Sequence, residues 1–189
     1  NNLSLYLEKN YGLTSDRVII KAVDIVANNN SFHPIIDFLE GLTWDGTPRI
    51  SHMLTHFFGA EDQKYTGEIM KMHMMAAISR LYEPGTKYDI MLCLVGGQGT
   101  GKSTFFKYLA IKDEWFTDDM KRLDDKKVYE YLQGHWIVEM SEMNAVANAK
   151  SIEETKSFLS RQKDTYRIPY ERRAEDRYRQ CVFCGTSND

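Results

Sequence analysis

The chain has 189 residues, 42% apolar and 27% charged, with a net charge of −3 and three cysteines. These proportions set aside disorder, collagen and coiled coil, and suit a small helical domain joined to an α/β one. No apolar run is long enough to cross a bilayer, the N-terminus has neither a basic flank nor an apolar signal core, and so few cysteines argue against a disulfide scaffold, so a soluble cytoplasmic protein is expected. The chain starts without methionine and stops just after an apolar run, and reads as a piece of something longer.

Residues 1–85 carry helical periodicity and read as a small all-α N-terminal domain. From Asp16 to Ala27, Val18, Ile19, Ala22, Val23, Ile25 and Val26 recur at helical spacing. Pro34 fits the first turn of a helix through Ile35, Ile36, Phe38 and Leu39, with Gly41 at its end. Trp44-Asp45-Gly46-Thr47-Pro48 is a turn by composition, because Asp-Gly tolerates positive φ and proline fixes its own. A helix is expected over Arg49–Phe58; His52 and His56 share its face but lack a third ligand, and read as packing or surface residues. Glu68–Tyr82 carries Met70, Met72, Met74 and Met75 beside Ala76, Ala77, Ile78 and Leu81, a stripe expected to be core rather than an adaptable binding groove. Pro84-Gly85 then breaks the chain, and the domain boundary is placed there.

Residues 86–189 read as an α/β P-loop NTPase core with a parallel central sheet. Ile90–Val95 is an apolar run expected to be a buried strand, and Gly96-Gly97-Gln98-Gly99-Thr100-Gly101-Lys102-Ser103 after it fits G-x-x-x-x-G-K-[ST]. A phosphate chain must be wrapped by backbone N–H groups, and glycine lets the loop turn with positive φ and approach the oxygens closely. Gly97, Gln98, Gly99, Thr100, Gly101, Lys102, Ser103 and Thr104 are the expected nucleotide-binding residues. Lys102 would reach the β- and γ-phosphates of ATP, Ser103 would place its hydroxyl on Mg²⁺, and the following helix would aim its positive end at the anion. The bland alternative, a glycine turn that never meets phosphate, leaves the Lys-Ser pair without a purpose.

Further along, Thr104–Ala110 continues the P-loop helix, with Phe105 and Leu109 facing the sheet. Asp125–Gln133 reads as helical with Gly134 at its C-cap, and Trp136-Ile137-Val138 as the next buried strand. Glu139 and Glu142 close that strand as a Walker B element expected beside the P-loop strand, Glu139 holding Mg²⁺ through water and Glu142 polarising the attacking water. Both can serve only if the strand ends near Met140, because residues three apart on a strand face opposite ways, and the division of labour stays open. Ser151-Ile152-Glu153-Glu154 is a capping box for a helix to about Arg161. Between Arg161 and Arg179 lie seven Lys or Arg against four acids, either a local basic surface or a face of mutually paired charges. Cys181 and Cys184, three apart on an expected strand, read as packing residues rather than zinc ligands. That strand ends in Gly185-Thr186-Ser187-Asn188, by itself an ordinary turn, but as the next strand after a P-loop and a paired-acid strand it puts Asn188 in the position of a γ-phosphate sensor.

With these motifs in place, the chain resembles the virulence-associated protein E family of phages and pathogenicity islands, related to superfamily 3 helicases and to the helicase parts of phage and plasmid primases. The matching segments are residues 96–103 and 136–142, Lys156-Ser157-Phe158-Leu159-Ser160, Asp164-x-x-Arg167-x-Pro169-Tyr170-x-Arg172, and residues 185–188. The resemblance implies an AAA+-like ATPase with Glu139 and Glu142 as the acidic motif and Asn188 as sensor 1, working in a bacterial host cell as a homo-oligomeric ring on single-stranded or origin DNA. It also implies a DNA-directed hairpin between the acidic motif and the sensor, for which Arg161, Lys163, Arg167, Arg172 and Arg173 are the candidate cations. The family continues past the sensor into an Arg-Arg-aromatic motif outside this sequence; if that motif holds a trans arginine finger, its loss would remove about 10³ to 10⁵ in rate. Two other readings stand beside the helicase: a nucleotide-gated oligomeric scaffold, and a P-loop phosphotransferase with the Arg-rich segment as its lid.

Overall fold

The structure is a computed structural model, and it describes residues 2–61, 64–120, 128–129, 131–141, 149–167 and 173–188. The chain divides into two compact units, residues 1–43 and 44–189.

The first unit holds three helices, α1 (Asn2–Tyr11), α2 (Asp16–Asn29) and α3 (Pro34–Glu40). Pro34 starts α3 as expected, since its missing N–H is not needed in a first turn, and His33 Nδ1 caps the helix by accepting from Ile36 N at 3.4 Å. Ile19 and Ile35 are its buried apolar side chains.

The second unit opens with the expected turn, in which Asp45 Oδ1 accepts from Thr47 N at 3.0 Å and the same carboxylate grips Arg49 with both oxygens. A 3₁₀ turn (Ile50–His52) leads into α4 (Met53–Phe58) and then α5 (Lys64–Tyr82). His52 and His56 are exposed, and His56 packs edge-on to Phe57. The boundary expected at Gly85 lies inside this unit, because α5 is fastened to the sheet. Trp136 Nε1 donates to Ala77 O at 2.9 Å, and the Arg80 guanidinium donates to the carbonyls of Thr86, Tyr88 and Cys181. The methionine stripe is only partly core: Met70 is fully buried, whereas Met72 and Met75 are 42% and 67% exposed. His73 and Arg80 occupy the buried face instead.

Four parallel strands form the central sheet in the order β1 (Leu92–Val95), β6 (Val182–Ser187), β3 (Ile137–Met140), β2 (Phe116–Thr117). The acidic strand β3 therefore does not adjoin β1 as expected; β6 lies between them. β1 is also less buried than the apolar run implies, with Val95 66% exposed, because among the described residues it is an edge strand. The two inner strands are buried along nearly their whole length, as strands covered on both faces must be. On one face Val138, Met140 and Phe183 pack with Phe158 and Leu159 of α7 (Ala149–Leu159). By the two-residue period of a strand, Glu139, Cys184 and Thr186 face the other way, where α6 (Lys102–Leu109) lies and Ser103 bonds Glu139.

Two other expected elements change. Val128, Tyr129 and Tyr131–Gln133 form turns rather than helix, the rest of that predicted helix lying outside the described residues, although Gly134 does adopt positive φ. Helix α7 already includes Ala149 and Lys150, so Ser151 lies within it rather than capping it. The basic segment forms an antiparallel hairpin, β4 (Lys163–Tyr166) with β5 (Glu175–Tyr178).

Candidate functional site

The loop between β1 and α6 is built around two left-handed residues, Gly99 (φ 81) and Gly101 (φ 84), where a side chain would strain the backbone. Gly101 is the N-cap of α6 and accepts from Phe105 N through its carbonyl, so the free N–H groups of the first helical turn point back into the loop. Gly96 N donates to Ser187 O at 3.3 Å and ties the loop to the end of β6. Thr100 Oγ1 donates to Gly97 O at 3.0 Å and closes the loop on itself.

Lys102 is buried, only 8% exposed. Its Nζ donates to Gly96 O at 2.6 Å, Gly97 O at 2.8 Å and Asn188 Oδ1 at 3.2 Å, with Thr100 Oγ1 at 3.5 Å. Beside it, Ser103 Oγ donates to Glu139 Oε1 at 2.7 Å. The adjacent strand adds a second hydroxyl, since Thr186 Oγ1 also donates to Glu139 Oε1 at 2.7 Å. Glu139 is fully buried, and its Oε2 has no hydrogen-bond partner among the described residues. A buried, unpaired carboxylate oxygen is costly and needs a partner. Under this carboxylate, Cys184 is paired in register with Glu139; its thiol is pushed well above its usual range, first by burial and then by the neighbouring carboxylate.

These groups surround a cavity of about 380 Å³, within the size range of small-ligand sites. Residues 98–104 line it from the loop and helix start, and Ser141, Thr186, Ser187 and Asn188 from the ends of β3 and β6. Of the expected nucleotide-binding residues, Gly97 alone does not line it; its carbonyl is engaged by Thr100 and Lys102. Glu139 sits behind Ser103 and Thr186 rather than on the wall. β3 ends at Met140, the condition for Glu139 and Glu142 to serve together, but Glu142 itself lies outside the described residues. Thr186 and Ser141 were not singled out from the sequence as site residues. Both stand in the quoted motifs, and only the strand register reveals that they meet the cavity.

The candidate cations of the hairpin divide into two groups. Lys163 is ion-paired with Asp176, which holds the Asp176 carboxyl low and the Lys163 ammonium high. Arg161 lies over the Phe158 ring and 3.8 Å from Asp164. Arg179, counted from sequence among the surface cations, is buried and binds Asp164 through two hydrogen bonds of 2.6 and 2.9 Å. Arg167 and Arg173 are exposed and have no ion-pair partner among the described residues; Arg172 lies outside them. Cys181 and Cys184 are buried free thiols, as packing residues should be, and burial pushes the Cys181 thiol up to about 11.

Compared with solved structures, the chain is similar to an A-form apo structure of the NrS-1 C-terminal region, with a TM-score of 0.51 and 18% identity over 77% of this chain and 34% of that one. Two further apo structures of that region, residues 305–718, match at a TM-score of 0.48, with 18% and 19% identity over 77% of this chain and 35% and 34% of those. The first likeness is one of fold, and the chain spans about a third of the length of the NrS-1 region. No curated protein matches the chain. The virulence-associated protein E-like domain matches residues 39–189, from the end of α3 through the glycine loop, β3, the hairpin and β6, and the chain belongs to that family.

Proposed function

We propose that this chain is the ATP-binding and ATP-hydrolysing core of a phage-type replication ATPase, an AAA+-like relative of superfamily 3 helicases. The observation that carries the reading is the convergence of Lys102, Ser103 and Asn188 on one cavity beneath a glycine loop, with the Glu139 carboxylate directly behind Ser103. Among the described residues Lys102 is held by neutral acceptors, which it can exchange for phosphate oxygens that bind a cation more strongly. The free N–H groups at the start of α6 supply further donors for an anion.

The Ser103 hydroxyl and the unpaired Glu139 Oε2 are hard oxygens, the donor type that Mg²⁺ takes, and they would hold the ion directly and through water. Bound there, Mg²⁺ supplies charge neutralisation on the β- and γ-phosphates. Glu142 is proposed as the group that orients the attacking water, and Asn188, already hydrogen-bonded to Lys102, as the γ-phosphate sensor. The DNA partner would meet Arg167 and Arg173, whose charges are not neutralised by described neighbours, with Lys163 and Arg161 in support; Arg172, a further candidate, lies outside the described residues. A ring of copies in the cytoplasm of a bacterial host completes the reading.

The test is calorimetric titration of ATP and MgCl₂ into the protein and into Lys102→Ala. Stoichiometric binding by the wild type that the variant loses supports the reading. Equal binding by both, or none by either, contradicts it.

A further inference from the structure

We propose that Thr186 is a positioning residue for Glu139, fixing the carboxylate so that Oε2 is the oxygen presented to a bound divalent cation. The inference rests on the reading of the cavity as a metal–nucleotide site. Two hydroxyls donate to the same oxygen, Ser103 Oγ from α6 and Thr186 Oγ1 from β6, each at 2.7 Å. A carboxylate turns easily about its last torsion, whose preferences are broad. Two short charge-assisted hydrogen bonds from different elements stop that rotation. The other oxygen is then left buried with no partner among the described residues, in a side chain that has no exposure to solvent.

Strand register explains why threonine at this position does the work. Glu139 pairs with Cys184 across β3 and β6, and the Cys184 thiol is turned to Val138 O at 3.6 Å. Thr186 lies two residues further along the same face and is the next β6 side chain that can reach the carboxylate. The Ser103 hydroxyl would have two duties, its lone pair on the metal and its O–H on Glu139, so its position is set in part by the metal; the Thr186 bond comes from β6 and fixes Oε1 independently of the metal. Thr186 is not assigned to phosphate or metal, and acts through Glu139.

The experiment compares wild type, Thr186→Val and Thr186→Ser by electron paramagnetic resonance of Mn²⁺ titrated into the protein–ADP complex, with metal-free ADP binding measured alongside. Thr186→Val is expected to weaken Mn²⁺ binding about tenfold or more, the usual effect of losing a group that orients a metal ligand, with a smaller effect on metal-free ADP; Thr186→Ser restores it. Mn²⁺ affinity unchanged in Thr186→Val, or a loss that Thr186→Ser does not restore, overturns the inference. Unfolding of the ligand-free protein in a Thr186→Val/Glu139→Gln double-mutant cycle gives an independent readout: a non-zero coupling is expected, and additivity overturns the link. A wild type that binds no nucleotide overturns the proposed function, and the ligand-free cycle still decides whether Thr186 holds Glu139.

Discussion

Lys102 Nζ donates to Asn188 Oδ1 at 3.2 Å, joining the start of α6 to the end of β6 across the mouth of the loop. The two residues that would flank a terminal phosphate are thus already in contact. Asn188→Ala leaves Lys102 its loop carbonyls, so ATP binding persists while the oriented amide is lost. Turnover is expected to fall about 10²-fold, the usual cost of one preorganised donor. Single-turnover kinetics beside ATP titration separates the two effects.

Gly99 and Gly101 have φ of 81 and 84, and a Cβ added at either meets no atom within 4 Å. The cost of alanine there is backbone strain alone, about 1–2 kcal/mol at each position. Gly96 is equally open but has no positive φ, so Gly96→Ala is expected to be close to neutral. Urea unfolding of the three single variants gives the comparison.

Burial lowers the His73 pKa from 6.5 to about 4. Between those values the unfolded chain binds more protons than the folded one, so stability is complete above pH 6.5 and declines as pH falls towards 4. The loss across that window is about 3 kcal/mol. His73 Nε2 is buried without a partner among the described residues, so His73→Leu leaves no unpaired ring nitrogen and should flatten this part of the profile. Urea midpoints of both proteins at pH 5 and pH 7 check the sign.

Arg179 and Asp164 form a buried two-bond pair at the base of the hairpin, and Arg179 also donates to Phe158 O at 2.6 Å. Removing one partner strands the other charge, so Arg179→Met and Asp164→Leu should each cost about 3–5 kcal/mol. The double variant should recover much of that loss, as replacing a whole buried pair by apolar groups usually does. Thermal unfolding of the three variants measures it.

The loop, the acid in β3 and the strand β6 that leads to Asn188 were legible in the sequence because each rests on a local pattern: glycines before Lys-Ser, and apolar runs ending in polar residues. Pro34 and the Asp45-Gly46 turn were legible for the same reason. What pattern reading missed depends on distant partners. Arg80, Arg179 and His73 look solvent-facing in sequence, and only carbonyls such as Cys181 O, a carboxylate such as Asp164, or burial against the sheet accounts for them. The place of β6 between β1 and β3, and with it the contact of Thr186 with Glu139, follows from strand order, which no local spacing encodes.

The most direct test of the account is ATP turnover by the protein with and without single-stranded DNA, beside Lys102→Ala and Glu142→Gln. Mg²⁺-dependent turnover is expected that DNA stimulates and that both substitutions abolish, with the stimulation weakening steeply as salt rises. Turnover that survives Lys102→Ala, or ATP binding with no hydrolysis under any DNA condition, would contradict it.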